Sequence, residues 1–219
     1  MRFLLTSLGL LLSLCAFAQI GVKASYNFYG PAVDDVSTGI TDANPTIDNA
    51  PEIALNYWFR LPKKRVEFMP TIFFSTTNSS GTTSKLNTYG AEMKVNIYPF
   101  DFGGDCDCPT FGKQGPHLEK GFFLQFSGGY ARYDSGKQFD VAVAPNGEGA
   151  VFGAGVGLDF GLSNLLTLTP MASFRSGPGL YEDIAFTDVD GQPSGFGKKG
   201  MATYQLGLQL SFRFDHKKY

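Results

Sequence analysis

The sequence predicts an all-β protein: a closed antiparallel up-and-down barrel of eight strands that crosses a membrane after export. Three observations predict it. The chain opens on an apolar leader with a cleavage signature. The rest alternates apolar and polar residues in stretches of roughly nine to thirteen residues, close to the 9–11 that a tilted strand needs to cross a bilayer. Eight charges within those stretches, from Lys23 to Arg213, fall on the polar face. Composition agrees: the 219 residues are 43% hydrophobic, 15% aromatic and only 17% charged, where a soluble domain carries about a quarter charged. The 27 Gly and 21 Phe disfavour helices and favour strands. A net charge of -2 offers no electrostatic basis for binding nucleic acid, and the length suits one domain.

The leader is residues 1–18, MRFLLTSLGLLLSLCAFA. Arg2 supplies its positive end, Phe3 to Phe17 its apolar stretch, and Ala16-Phe17-Ala18 the small-x-small cleavage rule. Cleavage is expected before Gln19, leaving a barrel domain over 19–219. A spanning helix would need a longer apolar run and a basic flank. A lipoprotein signal would use Cys15, but Leu14 stands before it where a small residue is wanted. No later segment approaches the ~18 apolar residues of a transmembrane helix.

The strands follow in order. Ile20, Val22, Ala24, Tyr26 and Phe28 face one way, against Gln19, Gly21, Lys23, Ser25 and Asn27. In 51–60 the faces are Pro51, Ile53, Leu55, Tyr57, Phe59 and Glu52, Ala54, Asn56, Trp58, Arg60. A weaker alternation runs through 66–75. Tyr89, Ala91, Met93, Val95 and Ile97 oppose Thr88, Gly90, Glu92, Lys94, Asn96 and Tyr98. Residues 121–133 alternate weakly, 151–160 set Phe152, Ala154, Val156, Leu158 and Phe160 against Gly and Asp159, and 165–175 alternate weakly again. The last strand is the clearest: every even residue from Ala202 to Phe214 is apolar or aromatic, and every odd one is polar or Gly.

Charge decides which face meets lipid. Lys23, Glu52, Arg60, Glu67, Glu92, Lys94, Asp159 and Arg213 all lie on the polar face. An ionised group at mid-bilayer costs on the order of 2–4 kcal/mol, so that face turns inward. A soluble lipocalin-like barrel would reverse the two faces. Eight strands leave an interior just filled by side chains. Lys23, Glu52, Glu92, Lys94 and Arg213 are the expected lumen network, pairing across a plugged interior. Ten strands, using Phe139–Ala144 and Tyr181–Val189 as extra hairpin residues, is the alternative, and it would widen the lumen.

An even strand count puts both ends on the periplasmic side. Leu61–Arg65 and Gly161–Asn164 are then short inner turns. Tyr29–Asn49, Thr76–Leu86, Asp134–Gly149 and Ser176–Gly200 are polar outer loops. Aromatics cluster toward both ends, as girdles at the two interfaces require.

The leader, the eight alternating strands and the aromatic last strand Thr203–Phe214 resemble small OmpA/OmpX-like outer-membrane barrels. The stretch YPFDFGGDCDCPTFGKQG followed by KGFF resembles Bacteroidota outer-membrane β-barrel proteins, including PorT-like relatives. The resemblance implies residence in the cell outer membrane among its lipids. It also implies that the barrel-assembly machinery reads an aromatic near the end of the last strand, here Phe212 and Phe214. The chain runs on through Asp215-His216-Lys217-Lys218-Tyr219, so it does not end on that Phe.

Asp101–Lys120 is unusually long for an inner turn. It holds Cys106-Asp107-Cys108, with His117 nine residues on. The pair is read as a disulfide or thiol pair fixing the turn; a metal site of Cys106, Cys108 and His117, or a redox-active disulfide, are the alternatives. C-x-C is tighter than the usual zinc spacing, and a ring closed across one residue is strained. No catalytic constellation appears: both His117 and His216 fall on the inner side, and Asp34-Asp35, Asp188 and Asp190 read as solvated loop acids. Gly153 to Gly157 spells G-x-G-x-G within a strand, where it makes room inside and binds no nucleotide. No cofactor is expected. The expected role is structural or interactive, with a periplasmic or extracellular protein partner; a small-solute channel and, behind it, an enzyme are the alternatives.

Overall fold

The structure, a computed structural model, describes residues 19–29, 48–61, 64–78, 85–101, 117–135, 147–163, 165–187 and 193–213. Eight strands form one sheet. They are β1 Gln19–Tyr29; β2 Ala50–Tyr57, resumed at Phe59–Arg60; β3 Val66–Asn78; β4 Lys85–Ile97; β5 Phe122–Ser135; β6 Gly147–Leu158, resumed at Phe160–Gly161; β7 Leu166–Thr187; and β8 Pro193–Arg213. Each pairs antiparallel with the next. β8 returns to β1, from Gln19↔Arg213 to Tyr29↔Thr203, and closes the barrel.

The stagger of that closure can be walked. From Tyr29 the register leads through Thr203, Arg175, Gly153, Ser127, Lys94 and Met69. Met69 lies beside Trp58, whose N–H donates to the Gln19 carbonyl at 3.0 Å. One circuit thus advances along β1 from Gln19 to Tyr29, a shear of about ten residues, which tilts the strands of a small closed barrel. The tilt brings residues far apart in sequence to one depth.

Parity sorts the side chains as the alternation requires. Ile53 is 62% exposed while Glu52 beside it is 1% exposed, and Lys23 is fully buried between exposed Val22 and Ala24. The outer wall carries Val22, Leu55, Ile72, Met93, Phe126, Phe152, Leu206 and Leu208. Buried Gln, Asn, Thr and charged side chains fill much of the inside. That is the arrangement for hydrocarbon outside and a packed polar interior. Glycine supplies interior room at defined places. A Cβ on Gly157 would fall 2.3 Å from the Phe123 ring, and one on Gly129 would meet the Ala91 carbonyl at 2.2 Å.

The interior is not uniformly polar. Ala54, Phe73, Leu86, Ala131, Tyr133, Val151 and Met201 pack as one cluster, and Tyr98, Phe123 and Met171 as another. This is why alternation is weak in β3 and β5: both faces there carry apolar groups.

Two expectations about ends are corrected. Tyr181–Thr187 does not begin an extra hairpin; it continues β7, so the strand count is eight. Ser176–Gly200 is not a loop. β7 and β8 run for 22 and 21 residues against 13 in β3, and β7 pairs with β6 only as far as Ser176. Residues 177–187 and 193–201 pair with each other past the last pairing with β6 and β1, with three register shifts. At the described ends of the two short connections, Leu61 N–H donates to the Val66 carbonyl at 3.0 Å and Leu162 N–H to the Leu166 carbonyl at 2.9 Å. The leader, Cys15, Phe139–Ala144 and the loop acids Asp34, Asp35, Asp188 and Asp190 lie outside the described residues.

Candidate functional site

The charged side chains of the polar face meet inside the barrel around Arg175 of β7. Its guanidinium grips Glu52 of β2 with two parallel bonds, Nη1 to Oε2 at 2.8 Å and Nη2 to Oε1 at 3.2 Å. Nη2 also donates to Glu92 Oε1 of β4 at 3.0 Å. The planar fork of Arg suits this bidentate grip, which a Lys point charge cannot reproduce. The guanidinium carbon lies 3.9 Å from the centroid of the Phe73 ring on β3, a cation–π contact. Lys94 Nζ donates to the same Glu92 oxygen at 3.0 Å.

Amide side chains complete the layer. Gln205 Nε2 of β8 donates to Glu52 Oε1 at 3.0 Å and to Asn27 Oδ1 at 2.8 Å, while Asn27 Nδ2 donates to Glu52 Oε2 at 3.1 Å. Lys23 Nζ and Ser173 Oγ each donate to Gln205 Oε1 at 3.1 Å. Glu52 therefore accepts two bonds on each oxygen, the full capacity of a carboxylate. The layer draws on β1, β2, β3, β4, β7 and β8. Three cations and two carboxylates neutralise most of one another where burial makes an unpaired charge costly.

A second layer sits toward the inner end, the end that carries Gln19, Arg213 and the short turns. The Tyr98 hydroxyl lies 2.8 Å from Glu67 Oε2 and 2.6 Å from Asp159 Oδ2. Thr169 Oγ1 donates to Asp159 Oδ1. Gln125 Nε2 donates to Asn96 Oδ1 at 2.7 Å. The Tyr98 and Phe123 rings pack with centroids 5.5 Å apart, and Met171 closes the cluster.

Of the five residues expected to form the lumen network, Lys23, Glu52, Glu92 and Lys94 fall in the Arg175 layer. Arg213 falls at the inner rim, opposite Gln19, with its N–H on the Leu165 carbonyl at 2.9 Å. Arg175 itself was not singled out by the sequence. Its signal was there: it shares odd parity with Thr167, Thr169 and Ser173 on the face that must avoid lipid. Phe212 stands on the lipid-facing side of β8, paired with Ile20 and Leu166, and Phe214 lies outside the described residues. Cys106 and Cys108 are also outside them, while His117 opens a one-turn helix, His117–Gly121, leading into β5.

No protein-family model matches the sequence, and no curated protein matches it. Solved structures are similar in shape. Neisserial surface protein A is 9% identical, with a TM-score of 0.48 over 90% of this chain and 96% of that one. The N-terminal β-barrel domain of Pseudomonas aeruginosa OprF is 11% identical, with a TM-score of 0.43 over 89% and 97%. Ail, the attachment invasion locus protein of Yersinia pestis, is 11% identical, with a TM-score of 0.39 over 90% and 99%. At these values the likeness concerns general shape, and the barrel rests on its own register and parity.

Proposed function

We propose that this chain, a small outer-membrane β-barrel, is a sealed anchor that holds its rim segments in place for a protein partner and conducts no solute. The Arg175 layer carries the reading. Its ion pairs tie β7 to β2 and β4 across the lumen, with apolar packing in the same interior. A lumen crossed by side chains bonded to one another supports the sealed reading over the channel. The lumen carboxylates Glu52 and Glu92 are held by a guanidinium, an arrangement suited to structure and not to proton transfer, so no catalytic role is assigned. The partner is a periplasmic or extracellular protein, and assembly uses Phe212 and Phe214 as the signal for the barrel-assembly machinery.

Planar-bilayer recordings of the refolded protein test the seal: a flat trace is expected, and discrete conductance steps would overturn it. Crosslinking and pull-down from native outer membranes test the partner. Recovery of lipid alone, with no protein in stoichiometric yield, would count against the interaction role.

A further inference from the structure

Each residue of a barrel strand points its N–H and C=O at one neighbouring strand, and successive residues point opposite ways. Trp58 donates to Gln19 on β1, so Tyr57 and Phe59 point at β3, as Leu61 does in bonding Val66. The pairs Asn56↔Thr71 and Phe59↔Phe68 set Tyr57 opposite Pro70. A half-turn of the barrel away the pattern repeats. Asp159 donates to Gly121 toward β5 at 3.0 Å, Leu162 bonds Leu166 toward β7, and the pairs Gly157↔Met171 and Phe160↔Leu168 set Leu158 opposite Pro170.

Proline has no N–H to give. The Tyr57 and Leu158 carbonyls, each aimed at a proline, receive no hydrogen from the residue opposite. Each strand is interrupted at the very next residue, Trp58 in β2 and Asp159 in β6. Proline is generally kept out of central strands for this reason, yet here it occupies both symmetric positions. Each also opens a groove on the lipid-facing wall. The Pro70 groove, about 420 Å³, is walled by Ile20, Leu55, Tyr57, Ile72 and Met93. The Pro170 groove, about 760 Å³, lies over Ala24 and Ala172 between Tyr26, Leu158, Leu206 and Leu208.

We propose that these grooves are two lipid sites built on the same backbone feature. Each takes an acyl chain of an inner-leaflet lipid whose backbone bears a hydrogen-bond donor, an amide N–H or a hydroxyl, and the Tyr57 or Leu158 carbonyl accepts that hydrogen. The charge complementarity is local: the negative end of a carbonyl dipole, unanswered by its strand, lies at the edge of an otherwise apolar groove. An unanswered carbonyl is expensive in hydrocarbon, and an all-ester lipid has no donor in its backbone to offer it. Depth agrees. The stacked Phe59–Phe68 pair, 5.5 Å between centroids, lies two residues inward of Pro70 at the aromatic belt. The carbonyls therefore sit beside lipid backbones, not chain ends.

The site rests on the membrane placement of the barrel, which heat-modified gel mobility checks separately. Native mass spectrometry from nanodiscs of diacyl phosphatidylethanolamine doped with ceramide phosphoethanolamine isolates the donor, since the headgroups are identical. The native barrel is expected to retain the amide-linked lipid at up to two copies, selectively over the ester lipid. Pro70→Ala and Pro170→Ala each restore the strand N–H and should each remove one copy, the double variant both. Urea midpoints should rise in the same variants. Pro70→Val and Pro170→Val restore the same N–H and stand in if an Ala variant fails to fold. Equal retention of the two lipids, or retention unchanged by the substitutions, would overturn the proposal.

Discussion

Around Arg175 the lumen is crossed by charge: a guanidinium, two carboxylates and two ammonium groups from six-strand surroundings, each bonded to a neighbour. Around Tyr98 it is crossed by a phenol, two carboxyl side chains and packed rings. The first layer is tied across the barrel by one residue; the second spreads its contacts over several. Burial makes both costly to leave half-made, but in different currencies. Removing one ion from a buried network strands its partners, whereas removing one hydroxyl strands acceptors that keep other neighbours.

The largest break is therefore Arg175→Ala. It leaves Glu52 and Glu92 buried without the guanidinium that holds them, a loss of about 3–5 kcal/mol. Urea unfolding in lipid vesicles, followed by the fluorescence of Trp58, measures it; Trp58 is the chain's one tryptophan and is buried. Changing all three partners together, Arg175→Met with Glu52→Gln and Glu92→Gln, should recover part of that loss, because no bare carboxylate remains and Lys23 and Lys94 keep side-chain amide oxygens beside them. If the triple variant were no better than the single one, the layer would owe its stability to packing against Phe73 and not to charge.

Next comes Tyr98→Phe, which takes away the hydroxyl between Glu67 and Asp159 and should cost about 1–3 kcal/mol by the same measurement. Combined with Arg175→Ala, its effect should add to within about 0.5 kcal/mol if the layers are independent. A larger coupling would show the two layers to be one network.

How much of this was legible depended on what each face had to avoid. β8 displays its strand and its inside face together, because lipid tolerates no polar group along Tyr204 to Phe212. β3 and β5 display them weakly, because Phe73, Phe123 and Tyr133 sit inside and blur the contrast. The extension 177–187 with 193–201 looks like a loop in the sequence because Pro178, Gly179, Gly195 and Gly197 read locally as turns. The inward charges were legible one at a time by parity. Their grouping was not: which charges share a depth follows from a stagger of about ten residues accumulated around the closed sheet. Arg213 and Arg175 look alike by parity, and only closure puts one at the rim and the other at the centre. The role of Pro70 and Pro170 was hidden likewise, since a missing N–H has meaning only once the opposite residue is known.

A smaller break tests the packed layer without touching its hydrogen bonds. Gly157→Ala places a methyl against the Phe123 ring that packs, tilted, against Tyr98. Overpacking of this kind costs about 1–3 kcal/mol, and less where the ring can yield. The clash falls on the far end of the ring, the part of the side chain that can shift most readily, so the low end is expected. A loss approaching that of Arg175→Ala would mean the packed layer, not the charged one, governs the barrel.

The smallest effect belongs to the same chemistry placed in water. Arg132 on β5 and Glu148 on β6 face outward at the outer rim, 3.8 Å apart, each more than half exposed. An exposed pair is worth about 0–1 kcal/mol and fades with salt, because solvent already satisfies both charges. Arg132→Gln should therefore shift the urea midpoint barely, and raising the salt concentration should erase the difference. Arg175→Ala, measured beside it, should keep its deficit at high salt, since ions cannot enter the layer to screen it. If both deficits fell together, water and salt would be reaching Arg175, and the lumen would be open where its ion pairs are taken to close it.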